Sequence, residues 1–386
     1  MIKTDSRTGR TVLMVAHCAG MVDMVALPVW VGTLIAAYKF DPQQAGGLVT
    51  LFLAGAVIAS LVFAPRLNRI RGRLAAPLGF GASTLAFFAA SATSDFGTLA
   101  ICHGLGGFAA GVGLSFTHGT IGRSANPHRL FAVVGIALGI FAIVFLGATP
   151  KIVEALGGPA LFKVFGAVMA VATVVTALGF PVPDAESASA AASRQAGAKL
   201  PRAVWLGMVG VGCLALVQAM MFSFVERMGA DRGFGVDKVT AVLISVGLVN
   251  IFPPILAALL EKRLAARTVV MAGPLVQAAL ALMISLSSDF GPYAAGCAVF
   301  VAVMIFTHTF AFGMLARLDL SGRAVAATPA MIMIGSAIGP ILGGSLVKGV
   351  GYGGLGLAAA VVDAAALLMF WRMHAGAAGR GQPQLA

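Results

Sequence analysis

The feature that most constrains this chain is its number of long apolar stretches. A helix needs about 20 mostly apolar residues to cross the hydrocarbon core of a bilayer. Hydrophobic residues make up 59% of the chain and charged residues only 10%, against about 25% charge in a soluble domain. The sequence therefore predicts an all-α membrane protein with 12 transmembrane helices. They lie at roughly 11–37, 44–64, 74–93, 97–121, 130–149, 158–180, 203–225, 239–259, 268–287, 291–316, 324–347 and 352–371.

One polar segment divides the predicted spans into two groups of six. Residues 182–202 are the most polar part of the chain and are predicted to be a flexible linker. We therefore expect an N-terminal six-helix bundle at 1–181, a cytoplasmic linker at 182–202 and a C-terminal six-helix bundle at 203–386.

The distribution of basic residues predicts the orientation. With the N-terminus inside, 19 of the 26 lysines and arginines fall in cytoplasmic segments. Because positive charge is concentrated on the cytoplasmic side, both termini are expected to be cytoplasmic, in a bacterial-type inner membrane. The net charge of +12 then reflects topology and contact with anionic lipid headgroups, which argues against nucleic-acid binding. We expect a monomer.

Several short motifs recur at nearly the same spacing. The sequence SDFG occurs at 94–97 and again at 288–291, an offset of 194 residues. Matches along one diagonal indicate a duplicated six-helix unit, a layout from which transporters build alternating access. We therefore predict two pseudo-symmetric bundles. At offsets of 190 to 195 residues the following pairs also match: Arg69 and Arg263, Arg73 and Arg267, His118 and His308, Cys18 and Cys213, and Cys102 and Cys297.

With these features the whole chain resembles the major facilitator superfamily. The resemblance is carried by the six-plus-six spans, the polar linker, the basic loops after spans 2 and 8, and the stretch GSAIGPILGG at 335–344. That stretch looks like the family's glycine-proline motif. The motif is best known in span 5, whereas here it lies in span 11, the span that the repeat pairs with span 5. Span 5 of this chain keeps only Gly135 and Gly139 of the motif. The resemblance implies a secondary transporter whose spans 1, 4, 7 and 10 line the cavity.

Two family motifs are altered here. Asn68 stands in the loop after span 2 where the family has an acid, whereas the loop after span 8 keeps its acid in Glu261. His103 stands in span 4 where the family often has an arginine.

The glycine-proline stretch allows two interpretations. Glycines let membrane helices approach closely, and proline removes a backbone hydrogen bond and kinks a helix. The stretch either packs span 11 statically against span 8, or forms a packing surface that also shifts during transport. The residues assigned to gating and packing are Gly335, Gly339, Pro340, Gly343, Arg69, Glu261 and Arg263.

Ionisable side chains at membrane depth are costly and usually functional. Asp23 lies about 18 Å along span 1, near the midplane, and is interpreted as a proton or cation site, with a structural carboxylate as the alternative. His17, His118 and His308 are expected at a similar depth, where they can shuttle protons, ligate a metal, gate the inner mouth or be satisfied structural groups. Asp363 in span 12 is expected to be structural. The predicted substrate- or proton-binding set is Asp23, His17, His118, His308, Gln218, Asn250 and Met304.

Soft side chains on the same helices indicate a second function. Met, His and Cys residues share one face of span 1 and one face of span 10, and such ligands suit Cu(I). Methionine and cysteine are also ordinary packing residues in apolar cores. The alternative is therefore a copper-type metal transporter that uses Met14, His17, Cys18, Met21, Met304 and His308.

The motifs of common enzyme classes are missing from the sequence. It contains no nucleotide-binding loop, no H-E-x-x-H and no nucleophile elbow, so we expect neither an enzyme nor a cofactor. The first predicted function is a proton-coupled transporter of a small neutral, aromatic or cationic solute, with the two bundles rocking around a midplane site. The lack of a midplane arginine or lysine disfavours a strongly anionic solute. A third possibility is a non-transporting membrane sensor.

Overall fold

The computed structural model describes residues 2–63, 66–67, 69–124, 127–182, 200–260, 262–318 and 323–378. Among these residues the secondary structure is helical and no β-strand occurs. The helices are α1 Arg7–Gly20, α2 Val22–Ala36, α3 Pro42–Phe63, α4 Gly72–Ala90, α5 Phe96–Ile121, α6 Pro127–Leu156, α7 Pro159–Gly179, α8 Arg202–Phe222, α9 Val225–Asp231, α10 Val236–Val249, α11 Phe252–Leu260, α12 Ala266–Leu286, α13 Phe290–Leu318 and α14 Arg323–Ala378.

Within the described residues, 11 helical stretches are long and apolar enough to cross a membrane. The last of them, Met331–His374, has 44 residues, about twice the length that a bilayer requires. Its backbone leaves helical geometry at Gly351, where φ is 70° and ψ is −172°. This left-handed conformation suits glycine, which has no Cβ. Predicted spans 11 and 12 are thus one stretch with a break between them.

The outward-facing surface of the helices is apolar, as expected for helices in contact with lipid. Large hydrophobic side chains such as Leu78 and Leu178 point outward from the protein, with 71% and 79% of their surface exposed. An aqueous surface would make such exposure unfavourable, whereas lipid tails are as apolar as leucine itself. Two helices begin at a polar N-cap residue. Ser6 Oγ accepts a hydrogen bond from the Gly9 amide at 3.0 Å at the start of α1, and Asp95 Oδ2 accepts one from the Thr98 amide at 2.7 Å at the start of α5.

The chain divides into two compact units. The first comprises Met1–Phe40 and Gly47–Arg194, and the second comprises Asp41–Gly46 and Gln195–Ala386. The first unit is centred on Trp30, whose buried ring lies 4.6 Å from Phe165 and 5.2 Å from Phe52, centroid to centroid. The second unit has an aliphatic and methionine-rich core that includes Leu214 and Met304.

Two predicted spans are interrupted rather than continuous. Span 1 was expected to run unbroken over 11–37, but α1 ends at Gly20 and α2 begins at Val22, with Met21 between them at φ −107° and ψ 17°. Span 8 is interrupted at Asn250 and Ile251, between α10 and α11. Breaks of this kind free backbone groups inside the membrane, and transporters use them to build binding sites.

The glycine-proline stretch packs against a different helix from the one expected. A Cβ added to Gly339 would lie 2.7 Å from Ala219 Cβ, and one added to Gly343 would lie 2.9 Å from Met220 O. Gly335 faces the Gly212 carbonyl in the same way. The partner is therefore α8, the seventh predicted span, and the expected packing against span 8 is wrong.

The proline of that stretch does not interrupt α14. Pro340 is buried, and the residue of α14 with non-helical dihedral angles is Gly351. The helix therefore continues through Pro340, and the break at Gly351, eleven residues later, lies in the gap predicted between spans 11 and 12.

Candidate functional site

Asp23 lies in the first turn of α2, directly after the break in the first span. Only 6% of its surface is exposed, and its Oδ1 has no hydrogen-bond partner among the described residues. The N-terminal turn of a helix carries partial positive charge, which favours a carboxylate there. The break therefore gives a buried acid a favourable position while leaving one of its oxygens available to a ligand.

Gln218 occupies the matching position in the second unit. It follows Asp23 by 195 residues, the offset that also relates Cys18 to Cys213. Its side chain is 5% exposed, and its Oε1 has no hydrogen-bond partner in the described part of the chain. The predicted repeat thus pairs an acid at the start of α2 with an amide inside α8, and each has a buried oxygen without a partner among the described residues.

Asn250 caps α10 at the break in the eighth span. Its backbone amide donates to Val246 O at 3.0 Å, and its buried Oδ1 has no partner among the residues described. Pro253 and Pro254 follow, and proline carries no amide hydrogen with which to continue the hydrogen-bond ladder. The local sequence thus explains why the helix stops at this residue.

His17 and His118 meet inside the first unit. His17 Nδ1 lies 3.0 Å from His118 Nε2, and the two ring centroids are 5.1 Å apart. One of the two facing nitrogens must carry the hydrogen and the other must accept it. The contact links α1 to α5, and Phe131 of α6 packs edge-on against His118 at 5.5 Å between ring centroids.

His308 makes a different set of contacts in the second unit. Its Nδ1 lies 3.0 Å from the Met304 carbonyl oxygen and 3.2 Å from Met304 Sδ, one turn earlier in α13. Its ring packs at 4.9 Å from that of Phe312. Because a carbonyl only accepts, Nδ1 of His308 carries the hydrogen.

His103 is held by two hydrogen bonds in the aromatic core of the first unit. Its Nδ1 donates to Leu99 O at 2.6 Å, and its Nε2 accepts the indole hydrogen of Trp30 at 3.2 Å. Because the indole N–H can only donate, Nε2 must be unprotonated, so the neutral Nδ1–H tautomer fits this site. Sequence reasoning noted His103 as a replacement for arginine and did not foresee its bond to Trp30.

The soft residues of the metal hypothesis do not form a recognisable centre. The described residues contain no group of three or more His, Cys, Asp or Glu that could hold a metal ion. Met14 packs beside the apolar cluster of Val12, Leu13 and Phe116, and Cys18 is half-buried. Met21 is the residue at the break between α1 and α2. Met304 lies in the core of the second unit.

Two of the three loop residues assigned to gating are exposed. Arg69 and Arg263 lie in the short turns that precede α4 and α12, with exposed side chains in both cases. Glu261, the acid of the second loop, lies outside the described residues.

Sequence reasoning missed Glu226. The seventh span was expected to end at residue 225, but the chain turns at Ser223 and continues as α9, which places Glu226 in a helix with a buried, unpartnered Oε2 in the described structure. A usable signal was present, since Arg227 and Asp231 have the i, i+4 spacing of a helical ion pair and lie 2.6 Å apart.

A comparison with known protein families identifies the family of this chain. The model of the Major Facilitator Superfamily matches residues 12–321, from the first broken span to the end of α13. The chain belongs to the major facilitator superfamily. No curated protein matches it.

Membership in the major facilitator superfamily confirms the resemblance seen in the sequence and makes the chain a secondary transporter of a class that moves small molecules through a lipid bilayer. The match includes Asp23, Gln218, Asn250 and the His17–His118 pair. The glycine-proline stretch at 335–344 lies beyond the matched residues, so the family assignment does not depend on it.

Proposed function

We propose that this superfamily member is a proton-coupled transporter that moves a small neutral, aromatic or cationic solute across a bacterial inner membrane by alternating access. The observation that carries the proposal is Asp23, a buried acid at a helix break with one oxygen that has no partner in the described part of the chain. A carboxyl in such a position can take up a proton when water reaches it from one side and release it to the other. The His17–His118 pair adds a second titratable group in the same unit.

The proposed topology has 12 spans and two cytoplasmic termini. Both parts of Met331–His374 are long enough to cross the bilayer on either side of the break at Gly351, which supports counting them separately. The excess of basic residues in the segments assigned to the cytoplasm supports the orientation. We propose a monomer with these two repeats.

The proposed class of solute follows from the kind of polar atom that lacks a partner. Asp23 Oδ1, Gln218 Oε1 and Asn250 Oδ1 are all oxygens that accept hydrogen bonds. A solute that donates hydrogen bonds or carries positive charge complements them. A strongly anionic solute would instead favour a permanent cation, arginine or lysine, and the sequence has neither near the middle of a predicted span.

Transport by purified protein in liposomes tests the proposal. We would follow ethidium as an aromatic cation, radiolabelled chloramphenicol as a neutral aromatic compound and benzoate as an anion, with and without an imposed pH gradient. We expect gradient-driven movement of ethidium or chloramphenicol and none of benzoate. Asp23→Asn should remove the gradient-driven part, because asparagine cannot exchange a proton.

Asp289→Asn is the matched control, since Asp289 is an exposed residue in the loop before α13. It should transport like the unmodified protein. Transport that is the same with and without the pH gradient would contradict proton coupling. Asp23→Asn protein that transports as well as Asp289→Asn protein would contradict the role of Asp23, and movement of benzoate alone would contradict the solute class.

A further inference from the structure

The second unit contains a deeply buried acid that the proposed transport cycle does not use. Asp363 lies in the part of α14 that follows Gly351, and only 1% of its surface is exposed. Neither of its carboxyl oxygens has a hydrogen-bond partner among the described residues. Burial of a carboxylate without a partner is strongly unfavourable, so a charged Asp363 would destabilise the fold at this position.

Close contacts fix the register of the helices around Asp363. Gly210 of α8 packs against the Phe370 ring of α14, and Gly207 packs against Met373 Sδ, with an added Cβ 2.7 Å away in each case. The residue numbers rise along α8 as they fall along α14, so the two helices are antiparallel. Counting seven residues back from Phe370 places Asp363 level with residue 217 of α8.

A third helix reaches the same layer. Gly356 of α14 packs against Ser285 of α12, where an added Cβ would also lie 3.3 Å from Ala281 O. The part of α14 after Gly351 is antiparallel to α12, because Gly353 lies near Leu286 and Gly356 near Ser285 and Ala281. Asp363 lies seven residues, or two turns, after Gly356, and the corresponding residues of α12 lie seven residues before Ser285 and Ala281. Asp363 is therefore level with residues 274–278, a range that includes Gln277.

Gln277 presents a second unpartnered acceptor in this layer. Its side chain is fully buried, and its Nε2 donates to Leu214 O of α8 at 3.2 Å. That bond fixes the amide orientation, because exchanging nitrogen and oxygen would place two acceptors face to face. Oε1 of Gln277 has no partner in the described structure. The layer thus contains acceptors of both Asp363 and Gln277 with no donor for either.

Charged groups of the neighbouring helices do not supply the missing donor. Arg372 and His374 of α14 lie nine and eleven residues from Asp363, and Arg267 of α12 lies ten residues from Gln277, so each is about 13 Å or more away along its helix axis. On α8 the titratable group near Asp363 is the thiol of Cys213. On α13, the Nδ1 hydrogen of His308 is already directed at its own helix.

We infer that Asp363 and Gln277 form a proton-binding site inside the second unit, in which the Asp363 carboxyl keeps its proton and its O–H donates a hydrogen bond to Gln277 Oε1. The single hydrogen neutralises Asp363 and gives Gln277 Oε1 a donor, and the second oxygen of Asp363 is then a neutral carbonyl, which is far less unfavourable to bury than a carboxylate. A metal cation fits the layer less well, because hard cations take six or more oxygens and the layer offers the unpartnered oxygens of two side chains. The proton is a resident part of the packing between α8, α12 and α14, and the site is independent of the proposed role of Asp23.

Infrared spectroscopy of the purified protein tests this site without a transport assay. Protein labelled with ¹³C at the aspartate carboxyl carbon is measured at neutral pH, and the spectrum of labelled Asp363→Asn protein is subtracted. We expect the difference spectrum to contain the C=O stretching band of a protonated, labelled carboxyl. Asp289→Asn, which changes an exposed acid, should instead remove carboxylate bands. Carboxylate bands in the Asp363 difference spectrum would overturn the inference.

A second pair of variants covers misfolding and the role of Gln277. If Asp363→Asn protein does not fold, labelled Asp363→Glu protein serves instead, because it keeps a carboxyl that carries no label and should lose the same labelled band. Gln277→Leu removes the acceptor and should move the band of Asp363 to higher wavenumber. A band at an unchanged position in Gln277→Leu protein would show that Gln277 does not accept a hydrogen bond from Asp363.

Discussion

The sequence Phe-Thr-His occurs once in each unit and behaves differently in the two. Both threonines bond back to their own helix: Thr117 donates to Gly113 O at 2.8 Å and Thr307 to Val303 O at 2.7 Å. The histidines differ, since His118 contacts His17 across two helices whereas His308 bonds to Met304 of its own helix. The two Phe-Thr-His sequences thus share their local backbone bonding, and among the described residues the contact between two histidines occurs in the first unit.

The same asymmetry applies to the pair Asp23 and Gln218. Both are buried, and each has one oxygen without a partner among the described residues. Only the first can exchange a proton. The first unit thus holds a titratable acid and a histidine pair, and at the corresponding positions the second holds an amide, Gln218, and a single histidine, His308, bonded to its own helix. The proton chemistry proposed for transport is therefore concentrated in the first of the two units.

The largest effect is expected from exchanging the two equivalent residues. Asp23→Gln should reduce gradient-driven transport to background, because the amide cannot be protonated at neutral pH. Gln218→Asp in the same protein places a carboxyl at the equivalent position of the second unit. Partial recovery of gradient-driven transport in the double variant, measured in liposomes, would show that either repeat can hold the acid.

Equal transport by the Asp23→Gln variant and the unmodified protein would contradict the proposed difference between the two units, because exchanging the acid for an amide would then have no functional consequence. Gln218→Asp alone is the control for damage caused by a second buried carboxyl.

The next largest effect concerns the glycines of spans 5 and 11. Gly335→Ala should lower the free energy of unfolding by about 1–3 kcal/mol, because the added methyl group meets the Gly212 carbonyl. Gly135→Ala should be neutral or stabilise by about 0.5–1 kcal/mol, because no heavy atom lies within 4 Å of its added Cβ. Thermal unfolding of both variants in the same detergent measures the difference, and equal destabilisation would contradict the packing role assigned to Gly335.

A smaller effect is expected for the histidine contacts. A double-mutant cycle of His17→Asn and His118→Asn should give a coupling free energy of about 1 kcal/mol, because each single change removes the same hydrogen bond. The cycle of His308→Asn and Met304→Leu should give a weaker coupling, since the bond to the Met304 carbonyl survives the leucine substitution. Equal couplings would mean that the contact between His17 and His118 is not special to the first unit.

The smallest effect concerns the two SDFG sequences. Asp95 accepts the amide and the hydroxyl of Thr98, at 2.7 and 2.8 Å, and these bonds lower its pKa below the ordinary value of 3.8. Such a group stabilises the fold at pH values above its unfolded pKa, and the stabilisation is lost as the pH falls through the folded pKa. At the position equivalent to Thr98 the second repeat has Pro292, which has no amide hydrogen to donate.

We therefore expect Asp95→Asn to flatten the fall in melting temperature below about pH 4. Asp289→Asn should leave that fall unchanged, because Pro292 cannot complete the same cap. Melting curves between neutral and acidic pH measure both variants. A change of similar size in the two variants would contradict the assignment of the cap to the first repeat.

Local sequence properties predicted the class of the protein well. The length and composition of apolar stretches determine whether a segment can cross a bilayer, and they do not depend on distant contacts. The helical membrane class and the superfamily are both confirmed. Local sequence failed at one particular residue, because the continuous apolar composition of span 1 gave no sign of the break at Met21. The break at Gly351, in contrast, lies in the gap predicted between spans 11 and 12.

By itself, the sequence determined the apolar spans, the duplicated motifs and the membership of a transporter superfamily, because these depend on composition and on order along the chain. Only the tertiary structure decided which distant groups meet: His17 with His118, Trp30 with His103, Gln277 with Leu214, and the span-11 glycines with α8. The physical reason is that a hydrogen bond or a close helix contact needs two surfaces in register, and packing between segments far apart in the chain sets that register.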